Sequence, residues 1–347
     1  MILNALTAPE MAKNRLPRLT RAAVLAERGM MLVALRAALC GGGEADILTA
    51  PSGDGIAARF GGADDFAGNA SFGFGGAILL PYANRIRGRP VPGRREIETT
   101  VLGQRLRLPM NWGGKATGAE QYAMHGLVLD RAFRVTEEGA DRLAGVLAAG
   151  DFGGRWLSST DIRVRYRLSA AALAVRVEAS NVGGEPLPVG IGWHPYFAIP
   201  SGDRGQARLS VSATRRVAVN NYDEVLPTGA IMPVAGTPYD FTAKDGRALG
   251  ETYLDDCFVD LATVGGNATA SLVDPAAGLG VRIVARAPPV KAFQVYAPPG
   301  QPFVAIEPQF NFADPYGAVW QGADTGMVVL QPGERTVYAV EVEVFAV

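Results

Sequence analysis

Short runs of alternating apolar and polar residues recur along this chain, each closed by a turn signal, and they leave little choice of fold class. Ile162-Arg163-Val164-Arg165-Tyr166-Arg167-Leu168 alternates throughout, the pattern of a strand with one buried face and one arginine-covered face in water. Leu173, Val175 and Val177 alternate with Ala174, Arg176 and Glu178, and Asn181-Val182-Gly183-Gly184 supplies the next turn, so the two runs read as a hairpin. From Phe133 onward such units follow one another at the spacing of a sandwich or barrel. The C-terminus repeats the theme: residues 327–330, a Gln331-Pro332-Gly333-Glu334 turn, then Val340, Val342 and Val344 interleaved with Glu341 and Glu343. No long run with a 3.6-residue apolar period appears, and 43 glycines with 23 prolines suit frequent turns better than helices. The expectation is an all-β chain of mainly antiparallel sheet.

With 347 residues the chain has material for one large domain or two modest ones. No linker or internal repeat divides it. Pro9 and Pro17 mix with Arg and Lys near the start, so residues 1–21 read as an N-terminal extension and 22–347 as one domain. The Gly- and Ala-rich stretch 51–76 reads as loop. Thirty-three basic residues against 34 acidic ones leave a net charge of −1, which argues against a nucleic-acid or anionic-membrane partner. Cys40 and Cys257 lie too far apart for a CxxC metal knuckle and are too few for a disulfide framework. The apolar run 29–40 is interrupted by Arg36 and too short to span a bilayer. It is also a poor secretion signal, with Leu39 where a small residue should precede cleavage. A cytoplasmic protein, monomeric or homodimeric, with a small or neutral partner is the expectation.

Candidate functional residues stand out by their settings. Glu307 ends the apolar run Phe303-Val304-Ala305-Ile306-Glu307. Alternation puts Val304 and Ile306 on one face, Ala305 and Glu307 on the other, so the carboxylate either meets solvent or does chemistry. The chain's two histidines are His125, closing a Gly-rich loop, and His194, in Trp193-His194-Pro195-Tyr196-Phe197; histidine is the natural proton donor near neutral pH. In Leu254-Asp255-Asp256-Cys257-Phe258 the adjacent acids must face opposite ways if extended. Trp112, Trp193, Tyr196 and Tyr296 could stack on a ligand's apolar face or pack in the core.

Five motifs, Pro81-Tyr82-Ala83-Asn84-Arg85-Ile86, His125-Gly126, His194-Pro195-Tyr196-Phe197, Asp255-Asp256-Cys257-Phe258 and Ile306-Glu307-Pro308-Gln309, occur in the order and approximate spacing of the aldose 1-epimerase (galactose mutarotase) family, which this chain resembles from about residue 30 to its end. The resemblance implies a large antiparallel β-sandwich, often called a supersandwich, with a sugar site in a cleft on one sheet. It implies that Glu307 is the general base and His194 the general acid, with Asn84, Arg85, His125 and Asp255 holding the sugar. Asp256 stands where a histidine is more usual, which leaves open which of the two aspartates faces the site. Ring opening of a pyranose needs removal of the C1 hydroxyl proton and delivery of a proton to the ring oxygen; this chemistry needs no cofactor or metal.

Two other readings remain. Arg85, Arg87, Arg89, Arg94 and Arg95 form a cluster suited to a phosphorylated hexose, and the same fold can serve as a non-catalytic carbohydrate-binding protein. A metal-dependent hydrolase would need clustered ligand spacing such as His-x-x-x-His, which the sequence lacks.

Overall fold

The period-two patterns do become strands. The structure, a computed structural model, describes residues 4–9 and 17–347. Among these the strands form two large antiparallel sheets. The first has 11 strands and runs, edge to edge, through Asn4–Thr7, Arg18–Leu25, Met31–Ala38, Gly76–Leu79, Gly192–Ala198, Phe303–Gln309, Ala292–Ala297, Leu254–Leu261, Ala213–Val219 and Pro227–Pro233, with Glu44–Asp46 paired on Met31–Ala38. The second has nine strands, with Thr160–Leu168, Ala172–Asn181, Arg335–Ala346 and Leu279–Arg286 at its centre.

Burial explains why the sheets face each other. In Thr160–Leu168 every second side chain is buried, and Ile162, Val164, Tyr166 and Leu168 share one core with Val304 and Ile306 of the first sheet. Arg163, Arg165 and Arg167 cover the outer face of the second sheet in water, as alternation predicts. The hairpin pairing Val164 with Val177 and Tyr166 with Val175 is also present. The architecture is therefore the large antiparallel β-sandwich.

Three local expectations change. Leu6 and Leu19 are buried in the common core, and Asn4–Thr7 pairs with Arg18–Leu25, so the described part of 1–21 forms a sheet edge and not an arm; residues 1–3 and 10–16 lie outside the described residues. Four residues carrying one large apolar side chain give too short a period to read. The stretch 51–76 contains a helix, Gly53–Phe60, whose Ile56 packs on Leu25, Met31 and Val33, the outer face of the first sheet. Val328–Leu330 pairs with Leu187–Val189, whereas Arg335–Ala346 joins the second sheet, so the Pro332-Gly333 turn passes between sheets.

The central strand Phe303–Gln309 thus divides its side chains between two environments. Ile306 is fully buried in the core, so Ile306→Ala should destabilise the fold by about 2–5 kcal/mol, the transfer and cavity terms together. Urea denaturation measures this; a loss below about 0.5 kcal/mol, the size of a surface effect, would mean the side chain does not face the sandwich interior.

Candidate active site

The outer face of the first sheet carries the polar groups that its core face excludes. On Gly192–Ala198, Trp193 and Phe197 enter the core, so His194 and Tyr196 must point outward. The neighbouring strand puts Glu307 on the same face, and Glu307 lies opposite Gln294 in the ladder. Gln294 in turn lies opposite Cys257, and Tyr296 opposite Asp255. The aspartate ambiguity resolves by the same rule. Asp255 lines the cavity, whereas Asp256 is fully buried on the other face and accepts Arg216 Nη1 at 2.7 Å.

Loops supply the remaining wall. The side-chain amide of Asn311 pairs with the backbone of Ala83, accepting its N–H at 3.0 Å and donating to its C=O at 2.8 Å, as a neighbouring strand would. This fixes the turn into Asn84, whose φ of +62° is a left-handed conformation that asparagine tolerates better than most residues. Asn84 donates to Gln294 Oε1 at 3.0 Å and accepts Arg85 Nη1 at 2.8 Å. Arg85 also donates to Tyr122 Oη at 3.3 Å and to Asp255 Oδ2 at 3.1 Å, and Gln294 donates to Asp255 Oδ1 at 2.6 Å. The guanidinium is thus held from three sides. His125 has a φ of +64°, and its N–H donates to Asn84 O at 2.9 Å. Gly126 follows it because a Cβ there would collide with the Leu80 carbonyl. A left-handed bulky residue is strained backbone, which persists where surroundings overdetermine it.

These groups meet at the floor of a cavity of about 700 Å³. His194 Nε2 lies 3.2 Å from Glu307 Oε1, and the His125 ring meets His194 edge to face with centroids 4.9 Å apart. Tyr196 stacks on His194 at 5.0 Å, its hydroxyl donating to the Phe72 carbonyl. Both nitrogens of His125, Nδ1 of His194 and Oε2 of Glu307 are buried with no protein partner. Such atoms in a cavity are open positions for a ligand's polar groups.

Burial also shifts the titration of these groups. It pushes the Glu307 carboxyl well above its usual range, helped by the nearby Asp255 charge and opposed by Arg85. Burial lowers His194 to about 3, and the Arg85 charge acts in the same direction. His125 is also held well below its usual value by burial, His194 and Arg85. For Arg85, burial opposes the charge, but Asp255 and Tyr122 outweigh it and hold the guanidinium protonated above its ordinary value. Burial thus pushes both partners of the Glu307–His194 pair toward their uncharged forms, a carboxyl beside a neutral imidazole.

His125, His194 and Glu307 present ligand atoms within 4.8 Å of one another, a set that could hold a metal ion. This clustering comes from three separate strands and loops, so no sequence spacing announces it. The Arg85 charge that lowers both imidazoles opposes a second cation there.

Of the residues read from sequence, Arg85, His125, His194, Asp255 and Glu307 line the cavity. Asn84 does not: it is fully buried behind Arg85 and Gln294 and braces both, because its left-handed backbone turns the side chain into that network. Trp193 belongs to the core, whereas Trp112, Tyr196 and Tyr296 line the cavity. Gln294, Tyr122 and Asn311 were missed. Gln294 carries the same signal as Glu307, a polar side chain inside an apolar strand; Tyr122 and Asn311 carry none. Of the five clustered arginines only Arg85 reaches the cavity. Arg87 pairs with Glu120, Arg89 with Glu98 and Arg94 with Glu96, and Arg95 lies on the Phe66 ring.

Known proteins share this architecture. A galactose mutarotase-like protein from Clostridium acetobutylicum superposes with a TM-score of 0.76 at 18% identity, over 94% of this chain and 93% of that one. An aldose epimerase homologue from C. elegans gives 0.73 at 18% identity over 99% of each chain. Galactose 1-epimerase from Lactobacillus acidophilus gives 0.65 at 17% identity, again over 99% of each. The uncharacterized protein YphB of Escherichia coli is 44% identical over 45 residues, 13% of this chain and only 16% of that protein's length. Among the described residues no helix is long and apolar enough to cross a membrane. A family model described as aldose 1-epimerase matches residues 59–343, most of the sequence, and the chain belongs to that family.

Proposed function

We propose that this protein interconverts the α and β anomers of a free aldohexose by acid/base opening and closing of the ring. The observation that carries the reading is the buried pair at the cavity floor, His194 Nε2 at 3.2 Å from Glu307 Oε1, with an open position on each partner. Glu307 takes the proton from the C1 hydroxyl as the C1–O5 bond breaks, and His194 delivers a proton to O5. The free aldehyde turns about C1–C2, and the same two groups run the steps backwards on the other face. Arg85, His125 and Asp255 hold the sugar hydroxyls; Arg85 exchanges no proton because it stays charged.

The raised Glu307 carboxyl, which favours a proton there before the sugar binds, is compatible with this cycle. Carboxyl with neutral imidazole and carboxylate with imidazolium hold the same number of protons, so conversion is internal to the pair. Sugar hydroxyls donating to Glu307 Oε2 favour the carboxylate and prepare the base. A phosphorylated hexose fits less well, since four of the five clustered arginines lie outside the cavity, three of them in ion pairs. A binding protein without catalysis has no use for a proton-sharing pair that is costly to bury.

Glu307→Gln keeps the shape but cannot accept the C1 proton. Turnover should fall by about 10²–10⁴-fold. Polarimetry of freshly dissolved α-glucose and α-galactose tests this, and a variant that epimerises at the wild-type rate removes Glu307 from the chemistry. Its melting temperature should match or exceed that of the wild type. A raised carboxyl contributes stability fully present below its unfolded pKa and lost as pH rises through the folded one, and the amide carries no such loss.

The pH dependence follows from the same shifts. The pair is active while it holds one proton. The second proton must go onto His194, whose value is lowered to about 3, and the last leaves Glu307, whose value is raised. The acid limb of kcat/KM should therefore fall well below the ordinary imidazole value of about 6.5, and the alkaline limb well above the ordinary carboxylate value of about 4.3. An acid limb near pH 6.5 would show that His194 titrates as a solvated imidazole.

A further inference from the structure

A hexose has about twelve non-hydrogen atoms, whereas cavities of about 300–1,000 Å³ commonly enclose drug-sized ligands. The cavity here measures about 700 Å³, so a single ring near Glu307 and His194 leaves its outer part vacant. That outer part is aromatic. Trp112 and Tyr222 both line the cavity, yet Trp112 is 40% and Tyr222 38% exposed. Large aromatic surfaces left open at a cavity mouth are the usual mark of a binding surface, and their faces suit the C–H faces of sugars.

The mouth is held in place by its own bonds. The Tyr222 hydroxyl donates to Asp256 Oδ2 at 2.9 Å and lies 2.9 Å from the Tyr239 hydroxyl. Asp256 is fully buried and accepts Arg216 Nη1 at 2.7 Å. The same turn is fastened to the loop that follows Trp112: Asp223 accepts the N–H groups of Lys115 and Ala116 at 2.8 and 3.0 Å, and Glu224 accepts that of Glu120 at 2.8 Å. Trp112 is itself fixed by pairing with Tyr122 in a short ladder. Ligand contacts on such a surface need little ordering on binding. The charges at the mouth balance: Arg59 and Lys115 line it together with Asp64 and Asp223, which suits a neutral ligand.

We infer that Trp112 and Tyr222 form a second sugar subsite, and that the preferred substrate is a neutral reducing disaccharide. This rests on the ring-opening reading of Glu307 and His194. That reading fixes the polarity: the free anomeric carbon sits at the cavity floor, and the second ring, attached through any other hydroxyl, stacks at the mouth. No new bond chemistry is involved, since the glycosidic link between the two rings stays intact.

The test is anomer exchange at the reducing end, followed by NMR for maltose, cellobiose, lactose and glucose in wild type, Trp112→Ala and Tyr222→Ala, with thermal melts of all three proteins. Wild type should turn over at least one disaccharide with a kcat/KM above that for glucose. Trp112→Ala should raise the KM for that disaccharide about tenfold, the worth of roughly 1.4 kcal/mol of stacking, and by a clearly larger factor than it raises the KM for glucose. Tyr222→Ala serves if the first variant does not fold. Disaccharide turnover below that of glucose in wild type, or equal losses on both substrates in a folded variant, overturns the subsite. If no sugar is epimerised, the ring-opening reading fails on its own. Binding of the same sugars, read by tryptophan fluorescence, then decides: tighter binding of a disaccharide that disappears in Trp112→Ala supports the subsite, and equal affinities refute it.

Discussion

Removing the Glu307 carboxylate from water is the constraint around which the rest of the structure is arranged. Glu307 is only 2% exposed, its Oε2 has no protein partner, and the imidazole beside it is almost as buried. An isolated charge in such a place is strongly disfavoured, so burial raises the Glu307 carboxyl and lowers the His194 imidazole, favouring the uncharged form of each. Arg85 supplies a fixed positive charge close by, and Asp255 balances it. The sheet makes this possible: alternation along Phe303–Gln309 sends Ile306 into the sandwich core and Glu307 to the opposite face, where loops and the helix-bearing stretch 51–76 line the cavity with it.

Placement of the other groups depends on backbone that few sequences would adopt unaided. Asn84 and His125 both take positive φ values and are joined by a backbone hydrogen bond. Asn311 holds the turn before them by imitating a strand. Tyr122 links Arg85 to the backbone of Glu224, since its hydroxyl donates to that carbonyl at 2.8 Å. The guanidinium that lines the cavity is therefore linked through Tyr122 to the turn that carries Tyr222. Such bracing favours side chains that are positioned before a ligand arrives, the condition that positioned acids and bases require.

The fold class was legible because the period-two pattern of strands such as Thr160–Leu168 survives in any sheet with one wet face. Glu307, His194, Arg85 and His125 stood out as polar residues in apolar or glycine-rich settings, and the family resemblance gathered them into one site together with Asp255. What sequence could not show was which polar groups act through others. Asn84 looks like a ligand contact in one dimension and proves to be a brace for Arg85, because its side-chain direction is set by a φ angle. Asn311 and Tyr122 act across 228 and 37 positions of sequence, a distance no local pattern encodes. The choice between Asp255 and Asp256 needed only the strand's phase, which the neighbouring apolar residues Leu254 and Phe258 fix once both are seen in the core.

The directions of the two shifts predict that the proton shared by Glu307 and His194 rests on the carboxyl. Nitrogen and carboxyl-carbon NMR of the ligand-free protein, with His194 and Glu307 assigned through their substitutions, reads it directly. At about pH 6, where a solvated imidazole is mostly charged and a solvated carboxyl mostly ionised, the account predicts a neutral His194 ring beside a protonated Glu307. An imidazolium facing a carboxylate at that pH would contradict it.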